Sequence, residues 1–307
     1  MRRGRAGPGT GQCQEEDEDL TDSHAAGSSV RGGVHAREMV IEARPRKLLP
    51  EWKELWEYRE LGWFLTWRDL KVRYKQTILG IAWAVIQPVA ATFVFTVFFG
   101  RLAKIPSDGI AYPVFALTAL VPWTFFSNGL ALCSNSLVDN AQLVAKVYFP
   151  RVLLPLAAVV SGLVDLLIAF AVLMGLLFFY GYGLAWPMLL VPFLVAVAFV
   201  ACTGVGVLFA ALNARYRDVR YLVPFLLQIW LFLTPIAYPA SLLPEQWLLV
   251  YALNPMVGVV EGFRWALLGT GTATPLLLLV SALSALLLFC LGQLAFRRMA
   301  RTFADVI

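Results

Sequence analysis

The stretch Arg68-Asp-Leu-Lys-Val-Arg-Tyr-Lys75, continued after Gln76 by Thr77-Ile-Leu-Gly-Ile-Ala-Trp-Ala-Val-Ile-Gln-Pro-Val-Ala-Ala-Thr-Phe-Val-Phe-Thr-Val-Phe-Phe99, sets four cations against 23 uncharged residues. At about 1.5 Å rise per residue, a helix of that length reaches roughly 34 Å, enough to cross a bilayer core of about 30 Å. Lys and Arg concentrate on the cytoplasmic side of membrane spans, so the basic flank marks the end that stays inside.

The whole chain has the same character. Of its 307 residues 59% are hydrophobic and only 15% charged, with a mean hydropathy of +0.70. Soluble domains carry about 25% charged residues. The net charge of +5 does not point to nucleic acid, because the cations cluster beside apolar spans, where they set topology and meet anionic headgroups. Cys13, Cys133, Cys202 and Cys290 are too dispersed for a CxxC or metal spacing, and three of them read as small apolar fillers within spans. His24 and His35 both lie in the N-terminal tail, which leaves no histidine in the membrane for a metal or a proton relay.

Outward from the first span, the pattern predicts an all-α polytopic membrane protein with six transmembrane helices, at about 77–99, 111–135, 152–179, 187–212, 221–240 and 273–296. Residues 1–43, with Glu15-Glu-Asp-Glu-Asp19, read as a disordered tail, and no apolar run follows Met1-Arg-Arg to make a signal peptide. Residues 44–70 hold an amphipathic interface helix. Its Trp52, Leu55, Trp56, Trp63, Trp67 and Leu70 recur at helical spacing, and tryptophan favours the membrane–water boundary. Residues 71–307 make the six-span domain. With the N-terminus inside, cytoplasmic loops hold Lys146, Arg151, Arg215, Arg217, Arg220, Arg297, Arg298 and Arg301, against Arg101, Lys104 and Arg264 outside. Both termini are therefore expected in the cytoplasm. Ser241 to Thr272 is too interrupted for another span and predicts two short helices broken at Asn254-Pro255, dipping into the outer leaflet or lining an exit.

Several chemistries are missing from the pattern. The sequence has no phosphate loop of the G-x-x-x-x-G-K-[ST] type, so ATP binding in that manner is not expected of this chain. Asp165 stands by itself near the middle of the third span and reads as neutral or hydrogen-bonded between helices, since proton coupling usually needs more ionisable groups.

The motifs carry a family resemblance. The run Arg68 to Trp83 with Gln87-Pro88 resembles the first-span entry of type-2 ABC transporter permeases that export O-antigen, capsule and teichoic-acid polysaccharides. The similarity continues in order through Tyr112-Pro113, Val121-Pro-Trp-Thr-Phe-Phe126, Asn140 with Lys146-Val-Tyr-Phe-Pro-Arg151, Tyr216-Arg-Asp218, Gln228-Ile-Trp230 with Thr234-Pro-Ile-Ala-Tyr238, and Asn254-Pro-Met with Gly262-Phe-Arg264. It spans about Glu51 to Arg298.

The resemblance implies a non-enzymatic half-channel in a bacterial inner membrane, paired with a second copy of itself and with two copies of a separate ABC ATPase. That partner would hold ATP and Mg, with no cofactor in this chain. The implied cargo is a glycan linked to undecaprenyl diphosphate or a related lipid. The helix around Trp52 and Trp56 and the loop Asp139–Pro150, with Asn140, Leu143, Val144 and Lys146, match the ATPase-coupling elements. The sequence offers Asp139-Asn140 as a cap and Pro150 as a stop for a short helix there. Arg68, Lys71, Arg73 and Lys75 set topology and suit contact with a lipid diphosphate. Trp83, Gln87, Phe125, Phe126, Asn128, Gln228 and Trp230 are the aromatic and amide types that a glycan conduit needs; each also suits core packing or a lipid-facing wall. A permease for a drug or lipid, and a membrane-embedded glycan-processing enzyme, are the competing readings.

Overall fold

The computed structural model describes residues 52–75, 82–183 and 185–300. The expected tail, residues 44–51, the first five residues of the first expected span and the Trp52 side chain lie outside the described residues.

Every described element is helical. In chain order these are α1 Trp52–Glu57, α2 Arg59–Lys75, α3 Ala82–Phe95 with a wider π-helical continuation over Thr96–Leu102, α4 Tyr112–Asp139, α5 Ala141–Lys146, α6 Leu153–Phe179, α7 Val191–Arg215, α8 Val219–Phe232, α9 Glu245–Tyr251, α10 Pro255–Leu268 and α11 Pro275–Ala300. A 3-10 turn, Trp186–Leu190, leads into α7. Five of these helices are long and apolar enough to cross a membrane: Ala82–Leu102, Tyr112–Asp139, Leu153–Phe179, Trp186–Arg215 and Pro275–Ala300.

The sixth expected crossing, 221–240, differs from its prediction. Its helix is α8, which spans 14 residues and stops at Phe232. At about 1.5 Å per residue this is roughly 21 Å, short of a bilayer core. The apolar composition continues through Leu233-Thr-Pro-Ile-Ala-Tyr238 although the helix does not, because Pro235 has no N–H to donate and its ring crowds the preceding turn.

Side-chain contacts at the helix ends sort the bundle into two faces. On the basic face, Asn213 of α7 donates to Ser134 O at 2.9 Å and to Asn135 Oδ1 at 3.0 Å of α4, and Arg151 before α6 donates to Ala300 O of α11 at 2.9 Å. On the far face, Tyr112 of α4 donates to Ala237 O at 2.7 Å, Ser241 donates to Asp108 at 3.0 Å, and Trp186 meets Trp265 edge-on at 6.2 Å. The segment after α8 thus reaches the far face, so α8 and its unwound end complete the sixth passage together.

The core lies where α4, α6, α7 and α11 pack. Helices in lipid gain little from hydrophobic exclusion and associate through close van der Waals approach, which small residues permit. Gly204 of α7 faces the Phe289 backbone of α11 at 2.5 Å from where a Cβ would sit, and a Cβ on Gly292 would overlap Gly204. Helix α4 is the most enclosed span, with 78% of its apolar window buried, whereas α3 lies at the periphery with 11%.

Candidate functional site

The far face is built around the end of α8, where unwinding frees backbone carbonyls. Non-helical backbone at membrane depth persists only where protein or water satisfies it. Thr234, Pro235, Ile236 and Ala237 are buried, and three side chains supply donors. Arg264 of α10 donates from Nη2 to Ile236 O at 3.0 Å and from Nη1 to Tyr238 O at 3.4 Å. Tyr112 covers Ala237 O, and Asn254 Nδ2 reaches Leu233 O at 3.2 Å and Thr234 Oγ1 at 3.0 Å.

Arg264 is held in turn by Glu261, at 2.8 Å, and both side chains are only 1% exposed. The second oxygen of Glu261 accepts the Thr272 N–H and hydroxyl at 3.0 and 3.1 Å, and the guanidinium stacks over Phe115 at 3.6 Å. One ion pair thereby clamps α4, the α8 end, α10 and the loop before α11. In the sequence Arg264 stands as an outer charge and as the end of the Gly262-Phe-Arg264 motif, with no motif to mark Glu261 as its partner. The available signal was their spacing of three on a single helix face.

The expected break at Asn254-Pro255 is present. Asn254 caps α10 by accepting the Met256 N–H at 3.1 Å, and its Oδ1 also accepts from Trp230 Nε1 at 2.9 Å. Pro255 follows at the first helical position, where a missing N–H costs nothing. Tyr251, in α9, shares a 2.7 Å hydrogen bond with Tyr238; burial, then that bond, pushes its hydroxyl pKa well up.

The basic entry divides. Helix α2 runs beside the lower half of α6: Gly62 faces Leu153, and Arg73 with Tyr74 both bind Asp165. Arg73 also reaches Ser161 Oγ at 3.3 Å. Asp165 is thus hydrogen-bonded between helices, with an arginine as its main partner. Burial, then the bond to Asp165, raises the Tyr74 pKa to about 12. Arg68 is paired with its neighbour Asp69 at 2.8 Å. Lys71, over the Trp67 ring at 5.8 Å, and Lys75 are the members of this set without a carboxylate partner among the described residues. Trp56, Trp63 and Trp67 look outward from α1 and α2, at 70%, 69% and 50% exposure.

Helix α5, Ala141–Lys146, is the short helix expected within Asp139–Pro150. Its expected cap works differently. The Asn140 side chain reaches back to Ser136 O at 2.8 Å, closing α4, and makes no side-chain cap for α5. Val144 points into the bundle and Leu143 packs against the core, while Gln142, Lys146, Val147 and Tyr148 face outward. Asp139, Asn140, Gln142, Leu143, Lys146 and Val147 line a shallow depression of about 400 Å³ on this basic face.

The expected conduit residues fall into two groups. Phe125 and Phe126 are buried, and Phe126 packs edge-on against Trp230 at 5.0 Å, so these three hold helices together. Trp83 and Gln87 of α3, Asn128 of α4 and Gln228 of α8 are exposed. On α4 the accessible positions include Thr124, Ser127, Asn128, Ala131, Leu132 and Asn135, a helical stripe with polar groups along an otherwise enclosed span.

A transporter family accounts for this architecture. A family model described as ABC-2 type transporter matches residues 60–268, and the chain belongs to that family. It is a multi-pass membrane protein of the transporter-permease class. Relatives include an "O-antigen export system permease protein RfbA" of Myxococcus xanthus, 31% identical over 69% of this chain and 82% of the relative. A Klebsiella pneumoniae protein of the same description is 29% identical over 79% of this chain and 93% of its own length. The "Polysialic acid transport protein KpsM" of Escherichia coli is 25% identical over 66% of this chain and 78% of its own.

Proposed function

We propose that this chain is the membrane-spanning permease subunit of an ATP-driven exporter that moves a lipid-linked polysaccharide across the bacterial cytoplasmic membrane. The observation that carries the reading is the similarity to glycan-export permeases along most of their length. The positive charge of the face bearing Lys146, Arg151, Arg215 and Arg297 supports placing that face, and both termini, in the cytoplasm.

The working assembly is a homodimer with two copies of a separate ABC ATPase, which binds ATP and Mg. The exposed edge of α5, with Gln142, Lys146, Val147 and Tyr148, is the handle for that partner, flanked by α1 and α2. Lys71 and Lys75 supply positive charge for the diphosphate of an undecaprenyl-linked glycan, since Arg68 and Arg73 are already paired. Trp83, Gln87, Asn128 and Gln228 offer stacking surfaces and amides to the sugar chain.

Deleting the gene in its host tests the reading. Surface glycan should disappear and lipid-linked polymer accumulate inside, with both restored by the full chain. Normal surface glycan in the deletion strain would overturn it.

A further inference from the structure

We infer that the groove between α3, α4 and α6 at the far face is a binding site for one anionic glycerophospholipid of the outer leaflet, its acyl chain in the groove and its phosphate on Arg101.

The groove has a volume of about 510 Å³, within the range of about 300–1,000 Å³ usual for small-molecule sites. Val89, Phe93, Val97, Leu117, Val172 and Phe179 form most of its wall. Two threonines also line it, but their hydroxyls are engaged within α3: Thr92 donates to Pro88 O and Thr96 to Thr92 O, each at 2.7 Å. Arg101 is the charged residue of the lining, exposed and without an ion-pair partner among the described residues.

Size selects the occupant. From Val89 to Arg101 the helix advances at most about 18 Å, at 1.5 Å per residue for its α-helical part and less over the wider π-helical turn. Half of a bilayer core of about 30 Å is roughly 15 Å. The groove therefore matches the depth of one leaflet and takes one acyl chain, whereas a long polyprenyl tail would overrun it.

Charge placement supports the phosphate. Three basic residues were expected outside, against the usual bias. Arg264 is buried with Glu261. Of the other two, Arg101 lines the groove and would meet an anionic headgroup there, and Lys104 lies exposed three residues further on. The floor is open as well: a Cβ on Gly175 would meet nothing within 4 Å.

The leaflet assignment rests on the orientation proposed above, and the test separates the two. The full chain is placed in phosphatidylcholine vesicles containing a minor fraction of phosphatidylglycerol that carries a photoreactive group at one acyl end. Adducts should map to residues 89–97 and 172–179, and a phosphatidylcholine probe should label several-fold less. A cation near the membrane surface contributes about 1 kcal/mol to anionic-lipid binding, so Arg101→Gln should lower phosphatidylglycerol labelling about fivefold. Gly175→Phe should abolish labelling by filling the floor.

Equal labelling by the two lipids, indifference to both substitutions, crosslinks between two copies at the groove, or displacement by a polyprenyl diphosphate would each overturn the site. Lys104→Cys should react with an impermeant maleimide from the outer side above the wild-type level. Reaction only from the cytoplasmic side would overturn the orientation and the leaflet, while leaving the lipid result readable.

Discussion

Two acids sit against the apolar bundle, each neutralised by an arginine, but the protein encloses them to different degrees. Glu261 and Arg264 are 1% exposed, and every oxygen of the carboxylate has a partner. Asp165 and Arg73 are each 26% exposed, and the pair joins α6 to a helix at the edge of the bundle. Removing an ion fully from water costs several kcal/mol, recovered only if the whole set of bonds is made. A pair that the protein encloses only in part has fewer such bonds at stake. The far-face pair is therefore a clamp that stands or falls as a unit, and it replaces the helix hydrogen bonds that α8 loses at Pro235. The α2 tie joins an element at the edge of the bundle, so losing it should disturb the core less.

The largest expected effect breaks the clamp. Glu261→Ala leaves a buried guanidinium without its carboxylate and should destabilise the protein by about 3–5 kcal/mol. The readout is a fall in the thermal midpoint, or loss of a monodisperse peak in detergent. Replacing both charges, as in Glu261→Leu with Arg264→Met, should recover only part of this, because the carbonyls of Ile236 and Tyr238 stay unsatisfied at about 1–3 kcal/mol each. Full recovery would show that the arginine serves the glutamate alone.

Asn254→Ala comes next. It removes the cap of α10 and the bonds to Leu233 and Thr234, and should cost about 1–3 kcal/mol in the same assay. Asp165→Asn should cost less than Glu261→Ala, since the amide still offers an acceptor to Tyr74 and Arg73. If it costs as much as Glu261→Ala, the contrast between the two pairs fails. Hydrogen exchange sharpens the same point: amides of Gly258–Arg264 should exchange more slowly than those of Leu70–Tyr74.

Five of the six expected spans were legible because apolar run length is nearly all that a membrane crossing requires. Hydropathy could not see α8 unwind, because Leu233 to Tyr238 stays apolar after its helix ends. The break at Asn254-Pro255 was legible from local chemistry alone, a side-chain cap followed by a residue lacking N–H. The site was less legible. Phe125 and Phe126 share their residue type with a conduit wall, and only the rotation of α4 turns them inward. Arg73 and Asp165 are 92 positions apart, so no spacing rule links them. On α5 the short helix was legible, but its expected side-chain cap is not made, and the inward face of Val144 depends on how the turn docks against the bundle.

In the proposed exporter, energy from a separate ATPase enters through α5. The most direct measurement is substrate-stimulated ATP hydrolysis together with glycan export, in vesicles containing this chain and its ATPase, with Val147→Asp and Tyr148→Asp introduced. Both residues face outward, and Val147→Asp should change stability by no more than about 0.5 kcal/mol. Charge buried at the contact should abolish stimulation and export at an unchanged thermal midpoint. Normal stimulation and normal export with both aspartates in place would contradict the account.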